Sequence, residues 1–366
     1  MKIICIILLT NYLLGNSLDK AFYIAGQNKS ELKKAIKLVP KEQLAGMEWI
    51  IRHMPEEHLK ILDADFLIKN SDLAYKMKNN APWGNKIPEE IFLNYVLPYS
   101  NLNERIDNWR PEFQEKFYPL VKDLESSYQA TILLNKKIYD IVGVKYSTKR
   151  PKADQSPFES IESGMASCTG LSILLVDACR SVGIPARFVG TPLWYNNSGN
   201  HSWVEIWDKE WHFTGAAEPT GDRLNEAWFL SHANKATEGD MDYGIFAATW
   251  EDTELYFPMT WLPNEKSYNA IDVTTRYAIS IIDQEKIPIR VRVLDSTGKR
   301  TEVRVAIIGI DGHIKEGISK GDSFDANDHL TFMLPKGNTF DIQVSNITRT
   351  INVINEELIE IKIQGD

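Results

Sequence analysis

Residues 167–206 read SCTGLSILLVDACRSVGIPARFVGTPLWYNNSGNHSWVEI, and this stretch decides the fold. From 171 to 182 its apolar residues recur at steps of three and four, which is the pattern of a helix with a buried face. Gly183 and Pro185 then end that helix, because glycine accommodates the turn at a helix end and proline cannot continue it. The stretch therefore predicts a helix that opens at Ser167.

After this helix the chain takes on the composition of strands. Residues 186–195, 201–207 and 211–213 are rich in aromatic and β-branched side chains, and turn residues separate them. A further helix is predicted at 225–236. This part of the chain is therefore expected to form a helix packed on an antiparallel meander.

Long regions of different character flank this centre. Between 30 and 142, apolar side chains recur at helical spacing with no strand pattern between them, which predicts an all-helical region. Beyond 271, apolar and polar residues alternate, which predicts a small β-sandwich. The predicted helices lie near 30–52, 55–79, 88–97 and 110–142, and the clearest strands at 290–294, 303–308 and 351–363.

The chain has 366 residues, which is too long for most single cores, so several domains are expected. The predicted fold class is α+β. The predicted organisation is a signal peptide at 1–17, a helical region at 18–150, a helix-on-sheet core at 151–268 and a β-sandwich accessory domain at 269–366.

Charge and the start of the chain limit the partners. A net charge of −9 argues against nucleic acid or an anionic membrane surface as the main partner, because both attract basic patches. Lys2 followed by the apolar run Ile3–Leu14 is typical of a secretory signal peptide, and the run is shorter than the about 20 residues that span a bilayer. The mature protein is expected to be secreted or periplasmic, without a membrane span.

Two cysteines remain once the predicted signal peptide is removed. Cys168 and Cys179 lie in one predicted helix, about 16 Å apart at 1.5 Å per residue, which is too far for a disulfide. Cys168 lies in the first turn, where unpaired backbone N–H groups and the helix dipole favour a thiolate. Cys179 lies within the apolar stripe and is expected to be a small buried hydrophobe. Two free thiols with different roles are therefore predicted.

The order of these elements resembles the transglutaminase-like superfamily over about residues 155–235. The resemblance rests on a cysteine at a helix start, Gly-Ile-Pro-Ala-Arg at its end, then His-x-Trp-Val-Glu and a tryptophan. It implies a papain-like fold in which Cys168 and His201 meet where the helix faces the sheet. His201 would take the thiol proton, and the thiolate would attack a carboxamide or peptide carbonyl to form a thioester. Water or an amine would resolve that thioester.

The third member of such a site is an acid that orients the imidazole, usually an aspartate soon after the tryptophan. This sequence has no aspartate there. Glu218, followed by proline, is the first candidate to replace it, and an ordinary turn residue is the alternative. Glu205 and Asp222 are lesser candidates.

The sequence says less about the groups that surround the reacting atoms. The backbone N–H of Cys168 is expected to be one oxyanion donor, since papain-like sites use such a group. Possible side-chain donors upstream are Trp109, Tyr118 and Gln129, although aromatic residues in a helical region more often belong to the core. Trp194, Trp203 and Trp228 are candidates for the walls of the cleft.

Two classes of function remain open at this stage. The first is an exported thiol enzyme acting on amides of peptides, proteins or peptidoglycan stems, by hydrolysis or amine transfer. The second is a catalytically silent domain of the same fold that binds a peptide or glycan. A metal site from Cys168, His201 and His212 is disfavoured because the sequence has no close pair of ligands such as C-x-x-C. No cofactor is expected, and the oligomeric state is left open.

Overall fold

The computed structural model describes residues 17–278, 286–309 and 314–363. The predicted signal peptide lies outside these residues except for Ser17, whose side chain accepts a hydrogen bond from the Lys20 N–H and caps the first helix. None of the helices in the described part of the chain combines the length and apolar character that a membrane crossing needs.

The N-terminal region is helical, as the sequence predicts. Its helices are α1 (Leu18–Ala25), α2 (Lys29–Leu38), α3 (Leu44–His53), α4 (Glu56–Ile61), α5 (Ala64–Asn80), α6 (Glu89–Tyr95), α7 (Arg110–Val121) and α8 (Ser127–Val142).

Three of the long predicted helices are broken into two. Pro40 separates α2 from α3, because proline cannot continue a helix. Asp63 starts α5, since its carboxylate accepts the Phe66 N–H at 2.7 Å. Ser126 starts α8 in the same way, by accepting the Gln129 N–H at 3.2 Å. Apolar periodicity continues across each break, so the pattern alone did not reveal these caps.

The central region places a helix against an antiparallel sheet. Its elements are β1 (Lys145–Tyr146), α9 (Pro157–Ser163), β2 (Met165–Ala166), α10 (Cys168–Ser181), β3 (Ala186–Thr191), β4 (His201–Asp208), β5 (Glu210–Thr214), α11 (Leu230–Ala233), β6 (Phe246–Ala248), β7 (Leu255–Tyr256) and β8 (Asn269–Asp272). The sheet has the order β5-β4-β3-β6-β8-β7 and is antiparallel throughout, while β1 and β2 form a separate parallel pair.

The helix predicted at 225–236 is wrong in length, since only α11 is helical there. Asn225 adopts a left-handed backbone conformation with φ of 64°, which interrupts a regular helix. Its amide oxygen also accepts the Phe213 N–H of β5 at 2.9 Å. The start of this segment is therefore fixed to the sheet.

Helix α10 is buried along almost its whole length. Every residue from Thr169 to Ser181 is buried, and the helix packs against β3, β4, α7, α8 and α9. Arg110 of α7 is also buried and donates to the Arg180 carbonyl at 2.9 Å and to the Pro98 carbonyl at 2.9 Å. Asn101 donates to the Asp177 carboxylate at 3.0 Å. These bonds fix α10 to the helical region.

The C-terminal region forms two packed sheets. Its strands are β9 (Lys286–Leu294), β10 (Arg304–Gly309), β11 (Ile314–Ile318), β12 (Leu330–Pro335), β13 (Thr339–Val344), β14 (Ile347–Asn352) and β15 (Glu357–Lys362). One sheet has the order β11-β10-β13-β14 and the other β12-β9-β15. Alternate side chains of both sheets share a core of their own, which makes this region a β-sandwich. The strand predicted at 351–363 is the end of β14 followed by β15.

Gly183 supports the turn from α10 to β3, and we expect substitution there to be costly. Its φ is +78°, and an added Cβ would lie 2.8 Å from the Met77 Cβ of α5. Gly143 has a similar φ of +71° with nothing within 4 Å of an added Cβ. Gly143→Ala should lower the free energy of unfolding by about 1–2 kcal/mol, the cost of the left-handed conformation alone. Gly183→Ala should lower the free energy of unfolding by the same amount and by a further ~1–3 kcal/mol through overpacking against Met77.

Urea unfolding of the two variants and the wild type measures this difference. Equal losses for both variants would show that the contact with Met77 relaxes freely and does not fix α10 against α5.

Candidate active site

Cys168 is the first residue of α10 and is half-buried. The Ser167 hydroxyl accepts the Gly170 N–H at 3.3 Å and donates to the Ala153 carbonyl at 2.9 Å, which fixes the start of the helix. The predicted position of the thiol in the first helical turn is therefore where the structure places it. Cys168 and Cys179 are both free thiols, and Cys179 is buried, as expected.

His201 is the first residue of β4, where it pairs with Thr191 of β3. The hydroxyls of Thr169 and Ser202 lie 3.2 Å apart and join the first turn of α10 to the start of β4. As a result, the Cys168 Sγ, one ring nitrogen of His201 and a carboxylate oxygen of Asp325 all lie within 4.8 Å of one another. The structure thus brings together the cysteine and histidine predicted from the sequence.

The imidazole of His201 is enclosed by aromatic rings and is only 1% exposed. The rings with centroids 4.8–6.0 Å from it are Trp194, Trp203, Trp228 and Phe229. Within the part of the chain that the structure describes, neither ring nitrogen has a hydrogen-bond partner. The three tryptophans that were predicted to line the cleft therefore surround the ring of His201.

Glu218 reaches the imidazole through a tight turn after β5. Its Oε2 lies 3.8 Å from the His201 Nε2 and accepts the indole N–H of Trp228 at 2.7 Å. The turn is held by Asn135 of α8, which donates to the Gly215 carbonyl at 2.8 Å and accepts the Ala217 N–H at 2.9 Å. The predicted acid thus lies beside the predicted base, close enough for a small movement to form a hydrogen bond.

Asp325 is a member of this group that sequence reasoning missed. It belongs to the loop between β11 and β12 of the sandwich, and its Oδ2 lies 3.8 Å from the His201 Nδ1. The side chain is buried, although Asp322, Ser323 and Ala326 of the same loop are exposed. The loop sequence GDSFDAND is rich in acids and turn residues, and only its docking against the core gives it a place at the site.

The electrostatics of the site favour a protonated thiol. Burial raises the pKa of Cys168, and the carboxylates of Asp325 and Glu218 raise it further. Burial lowers the pKa of His201, against an opposing effect of Asp325. Both shifts favour a neutral thiol beside a neutral imidazole.

Neighbouring carboxylates also affect Glu218. Burial raises the pKa of Glu218 well above its usual value, and the charges of Asp325 and Asp328 add to that effect. Burial likewise raises the pKa of Asp328 to about 6, although Lys320, 3.5 Å away, opposes the shift. The neighbouring carboxylates therefore disfavour ionisation of Glu218.

The lesser acid candidates have other roles. Glu205 is fully buried in β4, where it pairs with Arg187 at 2.7 Å and accepts the Tyr277 hydroxyl at 2.7 Å. Asp222 is exposed and pairs with Lys136. Neither lies in the group around His201.

The side chains considered as oxyanion donors lie elsewhere as well. The Trp109 indole donates to the Tyr99 carbonyl in the helical core, the Tyr118 hydroxyl to the Asn80 carbonyl, and Gln129 is exposed. Beside Cys168, the backbone of Ser202 and Thr169 acts to lower the pKa of the thiol, against the larger effect of burial.

Of the described residues, Cys168, His201 and Asp325 are the group that could hold a metal ion. Zinc bonds of about 2.0–2.3 Å in tetrahedral geometry bring the ligand atoms within about 4 Å of one another, which is tighter than a spread of up to 4.8 Å. His212 does not belong to the group, because its ring contacts Asn225 and Tyr128. His212 therefore does not join Cys168 and His201 in the combination that the sequence analysis disfavoured.

A groove of about 280 Å³ adjoins the site. One wall is formed by α8 and the Ala216–Pro219 segment, and another by Ser323–Asp325 of the sandwich loop. The site is therefore bounded on one side by the C-terminal region.

Comparison with known proteins agrees with this geometry. Residues 120–215 match the model of the transglutaminase-like superfamily, so the chain contains a domain of that superfamily. The matched residues include Cys168 and His201. No curated protein has a matching sequence.

Solved structures show weaker likenesses. A candidate cysteine protease from Cytophaga hutchinsonii is 21% identical, with a TM-score of 0.27, over 30% of this chain and 38% of that one. The Bacillus anthracis TIE protein is 14% identical, with a TM-score of 0.18, over 50% of this chain and 30% of that one. Red sea bream transglutaminase is 7% identical, with a TM-score of 0.29, over 75% of this chain and 66% of that one. At these TM-scores the likenesses carry no inference about activity.

We expect Glu205 to be a structural residue. Glu205→Ala would leave the guanidinium of Arg187 buried without its partner, which costs about 3–5 kcal/mol when a buried ion pair is broken. Asp222→Ala, at an exposed pair, should leave the free energy of unfolding unchanged. Urea unfolding of both variants checks the prediction, and a stable Glu205→Ala protein would contradict it.

Proposed function

We propose that this protein is a thiol enzyme of the transglutaminase-like type that attacks a peptide or carboxamide carbonyl. The observation that carries the proposal is the approach of the Cys168 thiol and an imidazole nitrogen of His201 to within 4.8 Å at the start of a buried helix, with the Glu218 carboxyl 3.8 Å from the His201 Nε2. A nucleophile, a base and an orienting acid are the groups that nucleophilic acyl transfer uses.

The reaction follows from the positions of these groups. His201 takes the proton of the Cys168 thiol, and the thiolate adds to the substrate carbonyl carbon. The tetrahedral intermediate collapses with cleavage of the C–N bond, and the imidazolium gives its proton to the leaving amine. Water, or another amine, then adds to the thioester and releases the thiol.

Glu218 is the acid that fits the orienting role best. It faces the Nε2 of His201, and the Trp228 indole holds its carboxylate in place. A carboxylate at that nitrogen fixes the ring and stabilises the imidazolium that forms during the reaction. The separation of 3.8 Å is long, but hydrogen bonds of catalytic groups often shorten when substrate binds.

The substrate class is an amide of a peptide, protein or peptidoglycan stem, and hydrolysis is the default outcome because water is abundant. The N-terminal pattern supports an exported protein, and the negative net charge supports a substrate other than nucleic acid. The second candidate is a silent peptide- or glycan-binding module. The raised pKa of Cys168 favours it, since a protonated thiol is a poor nucleophile.

Acylation of Cys168 by p-nitrophenyl acetate tests the enzyme proposal. The ester should transfer its acetyl group to the thiol and release p-nitrophenol, and His201→Ala should slow this by about 10²-fold or more because the general base is lost. Release of p-nitrophenolate and peptide mass spectrometry of the acetylated cysteine measure the reaction. Cys179→Ala is the matched control and should react like the wild type.

Two results would contradict the enzyme proposal. If Cys168 is not acylated in the wild type or in Asp325→Ala, or if His201→Ala has no effect in either background, the binding-module candidate replaces the enzyme.

Glu218→Gln should separate activity from stability. The amide oxygen keeps the Trp228 hydrogen bond but cannot stabilise the imidazolium, so acylation should slow by about 10²-fold or more. Because the pKa of Glu218 is raised in the folded state, its contribution to stability is present below pH 4.5 and is lost as the pH rises.

The Gln variant should therefore be as stable as the wild type in acid and more stable at neutral pH. Urea unfolding across this pH range, together with the acylation rate, measures both effects. A variant that loses stability and keeps its rate would assign Glu218 a purely structural role.

A further inference from the structure

The loop of residues 321–328 enters the active site from the C-terminal sandwich. Asp325 is the residue at its inner end, 3.8 Å from the His201 Nδ1 and within 4.8 Å of the Cys168 sulfur. A buried carboxylate on a loop with three exposed neighbours is unusual, because burial penalises its charge.

The position of Asp325 does not fit an orienting acid. Such an acid and the thiol bind opposite sides of the imidazole, and two hydrogen bonds of about 3 Å already place them at least ~6 Å apart. Asp325 is closer to the sulfur than that, so it lies on the thiol side of the ring. Glu218 already faces the other nitrogen.

The space that Asp325 fills is the space that a substrate needs. A reacting carbonyl must approach to about 3 Å from the thiol, within reach of the imidazole. A carboxylate within 4.8 Å of both atoms occupies that volume. Its charge also opposes formation of the thiolate.

The loop is anchored outside the site. The guanidinium of Arg300 donates to the Gly321 carbonyl at 2.7 Å and to the Asp325 carbonyl at 2.8 Å. On the core side, the Ala326 N–H donates to the Tyr146 hydroxyl at 3.0 Å. The hydrogen bonds from Arg300 therefore fix the shape of the loop within the sandwich, and the hydrogen bond to Tyr146 joins it to the core.

We propose that the 321–328 loop is an autoinhibitory plug, which holds Asp325 in the acyl-binding position and must withdraw before a substrate can reach Cys168. This inference rests on the proposed function, because it concerns access to the same Cys–His pair. Reactivity then scales with the fraction of molecules in which the loop is withdrawn.

The experiment measures the alkylation rate of Cys168 by iodoacetamide in the full chain, at neutral pH with EDTA present. Peptide mass spectrometry reports the rate, and buried Cys179 serves as the internal control for folding. Asp325→Ala should raise the rate about tenfold or more, because the plug and its charge are both removed. One unit of thiol pKa alone is a factor of ten in thiolate.

Arg300→Ala tests the plug at a distance from the site. This variant keeps the Asp325 side chain but removes the hydrogen bonds that anchor the loop. The alkylation rate of Cys168 should therefore rise as well. Arg304→Ala, at the exposed pair with Glu316, is the matched control and should leave the rate unchanged. Increased labelling of Cys179 would show that Arg300→Ala has unfolded. In that case Asp325→Asn takes its place as the second test of the plug, because it keeps the size of the side chain and removes its charge. Asp65→Asn, at an exposed carboxylate of the helical region that pairs with Lys34, is its control.

The outcomes separate the plug from the enzyme. A rate that rises in Asp325→Ala and falls again in Asp325→Ala/His201→Ala supports both. A rise that does not depend on His201 supports the plug and contradicts the Cys–His pair. A rate that depends on His201 and stays level or falls in Asp325→Ala overturns the plug and makes Asp325 a supporting acid.

Discussion

The site depends on the complete burial of α10. The helix is enclosed by the sheet and by the neighbouring helices, so it cannot shift without breaking the bonds that Arg110 and Asn101 make to it. Its first residue is therefore held at a fixed place opposite the start of β4, which is where His201 lies. Reactive groups on regular elements are positioned more firmly than groups on loops. The acids around the pair, by contrast, are all on loops or turns.

The site therefore has a fixed part on regular elements and an adjustable part on loops and turns. Cys168 and His201 are held by a helix and a strand, whereas Glu218 follows β5 in a turn and Asp325 belongs to another region of the fold. In this buried site, Glu218 and Asp325 both raise the pKa of the thiol, and Asp325 also raises the pKa of Glu218. A small shift of the loop that carries Asp325 therefore changes the electrostatics at the pair.

The sequence predicted the fixed part well and the adjustable part less well. Apolar spacing, the Gly-Ile-Pro turn and the aromatic strands define α10, β3 and β4, because local patterns determine those elements. Glu218 was found by its order after the strand that carries Trp211. Asp325 was not, because its place depends on how the sandwich docks against the core, which no local pattern encodes. The caps that divide the N-terminal helices were missed for the opposite reason, since single polar residues override an apolar period that continues through them.

The same electrostatics explain how a plug can be both specific and reversible. A hydrogen bond from Arg300 and one to the Tyr146 hydroxyl determine where the loop lies, and they place the buried carboxylate of Asp325 beside the Cys–His pair. Burial of this carboxylate opposes the docked state, because a charge loses its hydration when it is buried. An apolar side chain in that place would bind more tightly and would leave the thiol no easier to ionise on release. A carboxylate makes withdrawal easier, and its departure removes a charge that, after burial, raises the pKa of Cys168.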